Sequence, residues 1–108
     1  MTITLEYNGK EYKLGFTRAS IKQMEKDGFN FMEAQSHPAT LAFSLIEGAF
    51  RTYNPKMSED KIYEIFDSLE RREELVSTLM EMFQEPLAVL KSPEGDEAKE
   101  KNVPWKVI

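Results

Sequence analysis

The residues with the best prospects for chemistry are the single histidine of the chain and the carboxylate four positions before it. His37 and Glu33 have the spacing that places two side chains on one face of a helix. Imidazole and carboxylate groups both bind metals, but two ligands are too few for a tight site, and Pro38 disfavours helical geometry at His37. We therefore interpret His37 as a loop or helix-cap residue and predict no metal site.

Other catalytic arrangements are equally weak. Asp60 and Glu64 form a carboxylate pair at helical spacing, but such pairs on a charged helix are usually a solvated face. The serines are scattered without a nucleophile elbow or a serine–lysine pair. The five glycines lie too far apart for a phosphate-binding loop. We predict that the protein has no catalytic residue and no cofactor site, and that it is not an enzyme.

Composition narrows the class of protein further. The chain of 108 residues has no cysteine, so it has no disulfide or thiolate site, and this composition fits an intracellular protein. Its net charge of −5 comes from 19 acidic and 14 basic residues. Because the phosphate backbone repels such a surface, we predict no nucleic-acid partner. The opening residues lack the apolar segment of a signal peptide, and no apolar run approaches the roughly 20 residues of a membrane span, so we predict no membrane association.

The segment Pro38 to Tyr53 is the longest stretch with almost no charge, and we predict that it forms the central helix. Its apolar stripe at helical spacing consists of Ala42, Leu45, Ile46, Ala49, Phe50 and Tyr53. Leu41 and Phe43 lie off that stripe, so the helix is apolar over more than half of its circumference. Such a helix is expected to be buried against several neighbours.

A β-hairpin is predicted over residues 2–16. Asn8-Gly9 is a preferred two-residue type I′ turn, because both positions need positive φ. This turn pairs Tyr7 with Lys10 and sets the register of the whole hairpin. The apolar residues then fall on one face, which comprises Ile3, Leu5, Tyr7, Tyr12, Leu14 and Phe16. A lone hairpin is marginal in water, so this face is expected to cover helices.

Residues 18–91 are predicted to be mostly helical. Thr17 is a predicted N-cap for a helix over residues 18–27, and Asn30 for a short helix over residues 31–35. Ser58 is placed to cap a helix after the central one, and an interrupted apolar stripe indicates a break between residues 68 and 72. Pro86 is expected to bend the last helix. The prediction is an α+β fold: an N-terminal β-hairpin packed on about five helices, forming one domain over residues 1–91.

Residues 92–108 are predicted to be a flexible charged linker and C-terminal tail. The linker, residues 92–102, has no large apolar residue, whereas the tail reads VPWKVI. Val103, Trp105 and Val107 alternate, and Pro104 would restrict any strand there to a sheet edge. The tail could add as an edge strand to its own hairpin or to a partner, or it could be disordered.

Five residues are candidate partner contacts. Four lie in the tail: Val103, Trp105, Val107 and Ile108. The fifth is Met82, which lies off the apolar stripe that contains Met80 and Phe83, and flexible methionines often serve on adaptable binding surfaces. Free hairpin edges and the apolar excess of the central helix leave a homo-oligomer as an open alternative.

Three segments resemble a family of small proteins from phages and prophages of Gram-positive bacteria. They are TITLEYNGKEYKLGFTRASIKQMEKDGFN, LAFSLIEGAF, and EELVSTLMEMFQEPLAVL followed by a charged tail ending in VPWKV. The resemblance spans nearly the full chain, and its motifs concern packing and turns. Such proteins are similar to the tail assembly chaperones of long-tailed phages.

The resemblance implies a non-catalytic protein in the cytoplasm of the bacterial host. Its expected partners are phage tail proteins, namely the tape measure protein or the tail tube protein. One alternative is a minor structural protein of the tail or head–tail connector. Another is an acidic, phage-encoded inhibitor of a host protein.

Overall fold

The computed structural model describes residues 1–90 and 104–107. A two-stranded hairpin, β1 (Thr2–Tyr7) and β2 (Lys10–Gly15), precedes five α-helices, which confirms the predicted α+β class. The helices are α1 (Arg18–Lys26), α2 (Phe31–Ala34), α3 (Pro38–Tyr53), α4 (Glu59–Ser68) and α5 (Arg72–Gln84), and a 3₁₀ helix (Pro86–Leu90) follows. The predicted linker and the boundary after residue 91 lie outside the described residues.

The hairpin forms as its turn predicts. Asn8 and Gly9 both have positive φ, 52° and 78°, and Tyr7 pairs with Lys10. The antiparallel register then continues to Thr2 opposite Gly15, as expected. Its apolar face packs on the core: Tyr12, Leu14 and Phe16 are buried, while Ile3, Leu5 and Tyr7 are partly buried against the same cluster.

Both ends of α1 are fixed by local hydrogen bonds. The Thr17 hydroxyl accepts from the Ser20 N–H, and the Ser20 hydroxyl accepts from the Thr17 N–H, which completes a capping box. At the other end Gly28 adopts φ 104°, and the Phe29 N–H donates to the Met24 carbonyl at 2.9 Å. This is a Schellman ending, in which the left-handed residue satisfies carbonyls of the last turn. This ending turns the chain directly into α2. There the Asn30 side chain caps the helix by accepting a hydrogen bond from the Glu33 N–H.

Helix α3 is the centre of the molecule, as predicted, since it contacts β2 and all four other α-helices. Pro38 occupies its first turn, where a proline costs no hydrogen bond. Its buried face comprises Leu41, Leu45, Ile46, Ala49 and Phe50. Phe43 points away from this face and is 49% exposed. Among the described residues, no helix is both long enough and apolar enough to cross a membrane.

Helix α4 begins at the predicted cap, because the Ser58 side chain accepts from the Lys61 N–H. Its buried residues are Ile62, Ile65 and Phe66. The predicted break follows: Leu69 is extended, and Arg71 adopts the left-handed conformation with φ 51°. This turn redirects the chain into α5.

Met82, a candidate partner contact because it lies off the apolar stripe, is buried in the structure. Met82 is 2% exposed and lies on the buried face of α5 with Leu79 and Phe83. Successive helical residues are about 100° apart, so Met82 lies about 60° from Leu79 while Met80 lies about 100° from it. The face against the core is therefore centred on Leu79, and Met80 is the residue at its margin, only partly buried.

Four phenylalanine rings from separate parts of the chain meet at Phe83, and we call them the phenylalanine cluster. Phe31 stacks on it with ring centroids 5.0 Å apart, and Phe16 and Phe29 approach edge-on at 5.3 and 5.6 Å. These are favourable aromatic geometries at normal separations. Through these contacts, α5 packs against three other parts of the chain: the end of the hairpin, the α1–α2 connection, and α2.

Candidate binding surfaces

The tail contributes two described candidate contacts, Trp105 and Val107. They are 84% and 89% exposed. Val103 and Ile108 lie outside the described residues. Residues 104–107 have no strand, and β1 and β2 are the two strands of the sheet in the described part of the chain. The tail therefore presents an indole and an isopropyl group to solvent rather than extending its own hairpin.

Met82 does not belong to any accessible surface of the folded chain. Its side chain is enclosed between α5 and the core, so a partner could reach it only if α5 moved away. Other large apolar side chains are exposed instead. Among the described residues they include Met32 of α2, Phe43 of α3, and Leu87 and Leu90 of the 3₁₀ helix.

A cleft of about 810 Å³ lies between α1, α2 and α3, and we call it the α1–α3 cleft. Met24 of α1 and Gly48 of α3 both line it. A Cβ atom added at Gly48 would come within 2.6 Å of the Met24 sulfur, so the glycine is what lets this side chain lie on α3. The two helices consequently approach closely at the floor of the cleft, where Phe29 adds apolar surface.

The walls of the α1–α3 cleft carry an acidic excess. Asp27, Glu33 and Glu47 line it, and Arg51 is the cation on the described lining. The Arg51 guanidinium is already engaged: it lies 3.3 Å from a Glu47 carboxylate oxygen and donates through Nε to the Met57 carbonyl. Asp27 and Glu33 form no ion pair with another described residue. The unpaired charge of the cleft is therefore negative.

His37 also lines this cleft and is exposed. Its backbone N–H donates to the Ala34 carbonyl and its carbonyl accepts from the Leu41 N–H, so its backbone joins α2 to α3. Among the described residues, no group of three histidine, aspartate or glutamate side chains is placed to hold a metal ion. The location of His37 matches the predicted loop or cap position before Pro38.

A tyrosine–carboxylate contact ties α4 to α3 beside the cleft. The Tyr63 hydroxyl donates to a Glu47 carboxylate oxygen at 2.7 Å. Burial, and then the hydrogen bond and charge of Glu47, raise the pKa of Tyr63 well above its usual value. Phe43 packs edge-on against the same ring with centroids 5.6 Å apart. A phenol held neutral in this way stabilises the helix pair and is unsuited to proton transfer near neutral pH.

A second polar contact ties the hairpin to α4. Glu64 accepts from the Lys61 ammonium at 2.8 Å and from the Tyr7 hydroxyl at 3.2 Å. The hydrogen bond from Lys61, and then that from Tyr7, lower the pKa of Glu64. The Lys61 ammonium also lies 5.2 Å from the centre of the Tyr7 ring. Glu64 is thus part of a packing contact, and its predicted partner Asp60 is exposed one turn earlier on α4.

In the comparison with protein families, residues 1–108 match the model described as "Domain of unknown function (DUF5055)". Comparison with curated proteins and with solved structures gives no significant match.

Proposed function

The chain belongs to the DUF5055 family, and we propose that it is a non-catalytic protein resembling the tail assembly chaperones of long-tailed phages. In this role it binds the tape measure protein or the tail tube protein during tail assembly. It acts in the cytoplasm of the bacterial host. The partner contact is made by the apolar residues of its C-terminal tail.

The observation that carries this proposal is the exposure of Trp105 and Val107. A tryptophan buries a large apolar area when it is covered by a partner, and tryptophans are over-represented among the residues that dominate binding energy. The exposed ring of Trp105 can bury this area only against another surface, and a partner protein is the surface that we propose. The resemblance of the sequence to phage proteins supplies the identity of that partner.

The polar groups around the described helices fit a binding protein better than an enzyme. Tyr63 and Glu64 have shifted pKa values, but each shift arises from a contact that joins two elements of the fold. Shifted groups at an active site would instead converge on a cleft from several sides. Neither Tyr63 nor Glu64 lies on the lining of the α1–α3 cleft.

Co-expression tests the proposal directly. The chain is expressed together with the tape measure protein encoded by the same phage genome, and the soluble fraction of that protein is measured. We expect the wild-type chain to raise its solubility and to co-purify with it, and we expect Trp105→Ala to reduce both. Met32→Ala is the matched control, because Met32 is also an exposed apolar side chain, at 75%, but lies on α2.

Two results would contradict the proposal. One is unchanged solubility without co-purification, for both the tape measure protein and the tail tube protein. The other is equal weakening by Trp105→Ala and Met32→Ala, which would remove the tail as the contact. Mass spectrometry of purified virions separates the proposal from the alternative of a minor structural protein, since an assembly chaperone is missing from the finished particle.

A further inference from the structure

The α1–α3 cleft has the features of a second contact site for a protein. We infer that it binds a lysine- or arginine-bearing segment of a partner protein, with one apolar side chain of that segment on the cleft floor. This inference concerns a different surface from the C-terminal tail and goes beyond the proposed function.

The dimensions of the cleft suit such a segment. Its volume of about 810 Å³ lies within the range of roughly 300–1,000 Å³ over which proteins bind compact ligands. Met24 and Phe29 supply a half-buried apolar floor. A methionine side chain is flexible and polarizable, so it can adjust to the shape of an apolar group placed on it.

The charge of the cleft selects a basic occupant. Asp27 and Glu33 lie on its walls without a cationic partner among the described residues, and Arg51 is already bound to Glu47. A lysine or arginine entering the cleft would therefore gain ion pairs that the isolated chain does not make. An anionic ligand would meet repulsion at the same positions. The hydroxyls of Thr40 and Ser44 offer further hydrogen-bonding groups on the α3 wall.

A short amphipathic peptide of leucine and lysine is a suitable probe for this site. Binding is followed through the backbone amide signals of the full-length ¹⁵N-labelled chain in NMR spectra. We expect the signals of Gly28 and Gly48, which both line the cleft, to shift on titration. A peptide with glutamate in place of lysine is expected to leave them unchanged. Absence of any shift with the lysine peptide would overturn the inference.

Two double variants separate the cleft from the general acidity of the protein. Asp27→Asn with Glu33→Gln removes two charges from the cleft, and Glu6→Gln with Glu11→Gln removes two exposed charges from the hairpin. We expect the first pair to weaken peptide binding about fivefold, the size expected for losing two partly screened ion pairs. The hairpin pair is expected to leave binding unchanged. Equal weakening by both pairs would overturn the inference.

A steric test uses two neighbouring exposed positions. Thr40→Trp places a large ring in the cleft, whereas Ala39→Trp places it on the adjacent surface outside the lining. We expect Thr40→Trp, but not Ala39→Trp, to abolish the NMR shifts. Equal effects of the two variants would contradict binding in the α1–α3 cleft. None of these titrations involves a phage protein. A failed co-expression experiment would therefore leave this inference intact, and a failed titration would leave the proposed function intact.

Discussion

Replacing Phe83 by leucine tests whether the phenylalanine cluster holds the fold together. Phe83 is 2% exposed, and its ring meets those of Phe16, Phe29 and Phe31 at centroid distances of 5.0 to 5.6 Å. Leucine retains most of the apolar character of the side chain. It removes all three ring-to-ring contacts and leaves part of the ring volume empty.

The magnitude follows from those contacts. An aromatic pair contributes about 0.5–1.5 kcal/mol beyond the burial of its area, so three pairs give an upper range of about 1.5–4.5 kcal/mol. The three rings share one partner, and Phe29 and Phe31 also contact each other, so their contributions do not simply add. We expect Phe83→Leu to lower the free energy of unfolding by about 2–3 kcal/mol, including the residual cavity.

The assay is urea unfolding followed by far-UV circular dichroism. Tryptophan fluorescence is unsuitable, because the single tryptophan, Trp105, lies in the exposed tail and does not report on the core. Phe43→Leu is the matched control: Phe43 is half exposed and has one described ring partner, Tyr63. We expect the control to lower the free energy of unfolding by less than about 1 kcal/mol.

Two outcomes would refute this reasoning. If Phe83→Leu lowered the free energy of unfolding by less than about 1 kcal/mol, the ring contacts would contribute little. If it matched Phe43→Leu, burial of Phe83 among three other rings would stabilise the fold no more than the half-exposed pair of Phe43 and Tyr63.

Three further predictions concern the backbone and pH. Gly28→Ala is expected to lower the free energy of unfolding by about 1 kcal/mol in urea titrations, because φ is 104° there, and no loss would contradict the Schellman ending. Arg71→Gly is expected to raise it by up to about 1 kcal/mol, because φ of 51° is unfavourable for arginine, and a clear loss would contradict this. The raised pKa of Tyr63 means that the unfolded chain loses the phenolic proton first, so stability should fall as pH rises above about 10. Tyr63→Phe should show a smaller fall over the same pH range, and an identical fall would refute the contribution of the contact with Glu47.

The features that sequence predicts correctly are those decided by a few neighbouring residues. The register of the hairpin follows from Asn8-Gly9, and the helix starts after Thr17 and Ser58 follow from side chains that accept nearby N–H groups. The break before α5 follows from a missing apolar position in the stripe. Each of these requires no knowledge of what the element packs against.

Met82 shows where this kind of reasoning fails. The apolar residues of α5 cover a wide arc, and the sequence pattern alone does not say which part of the arc meets α3. The hairpin and α2 pack on α5 through Phe16 and Phe31, and their positions place Leu79, rather than Met80, at the centre of the buried face. Assigning the face therefore needs the tertiary arrangement.

The α1–α3 cleft could not be predicted for the same reason. Its lining comes from three helices and four connections, and its floor depends on the absence of a side chain at Gly48. Within a helical pattern a glycine indicates only a weak position or a close approach, without naming the partner. The sequence does not show that Met24 packs against Gly48, and this contact forms the floor of the cleft. The role of the tail in binding stays a prediction.

The position of Phe83 late in the chain has a consequence during synthesis on the ribosome. The rings of Phe16, Phe29 and Phe31 are made early, but the residue that joins them is added only when α5 emerges. Until then the nascent chain must expose three aromatic side chains, which favours contact with cellular folding factors. Emergence of α5, rather than of the segments before it, is therefore the moment at which this domain becomes able to close.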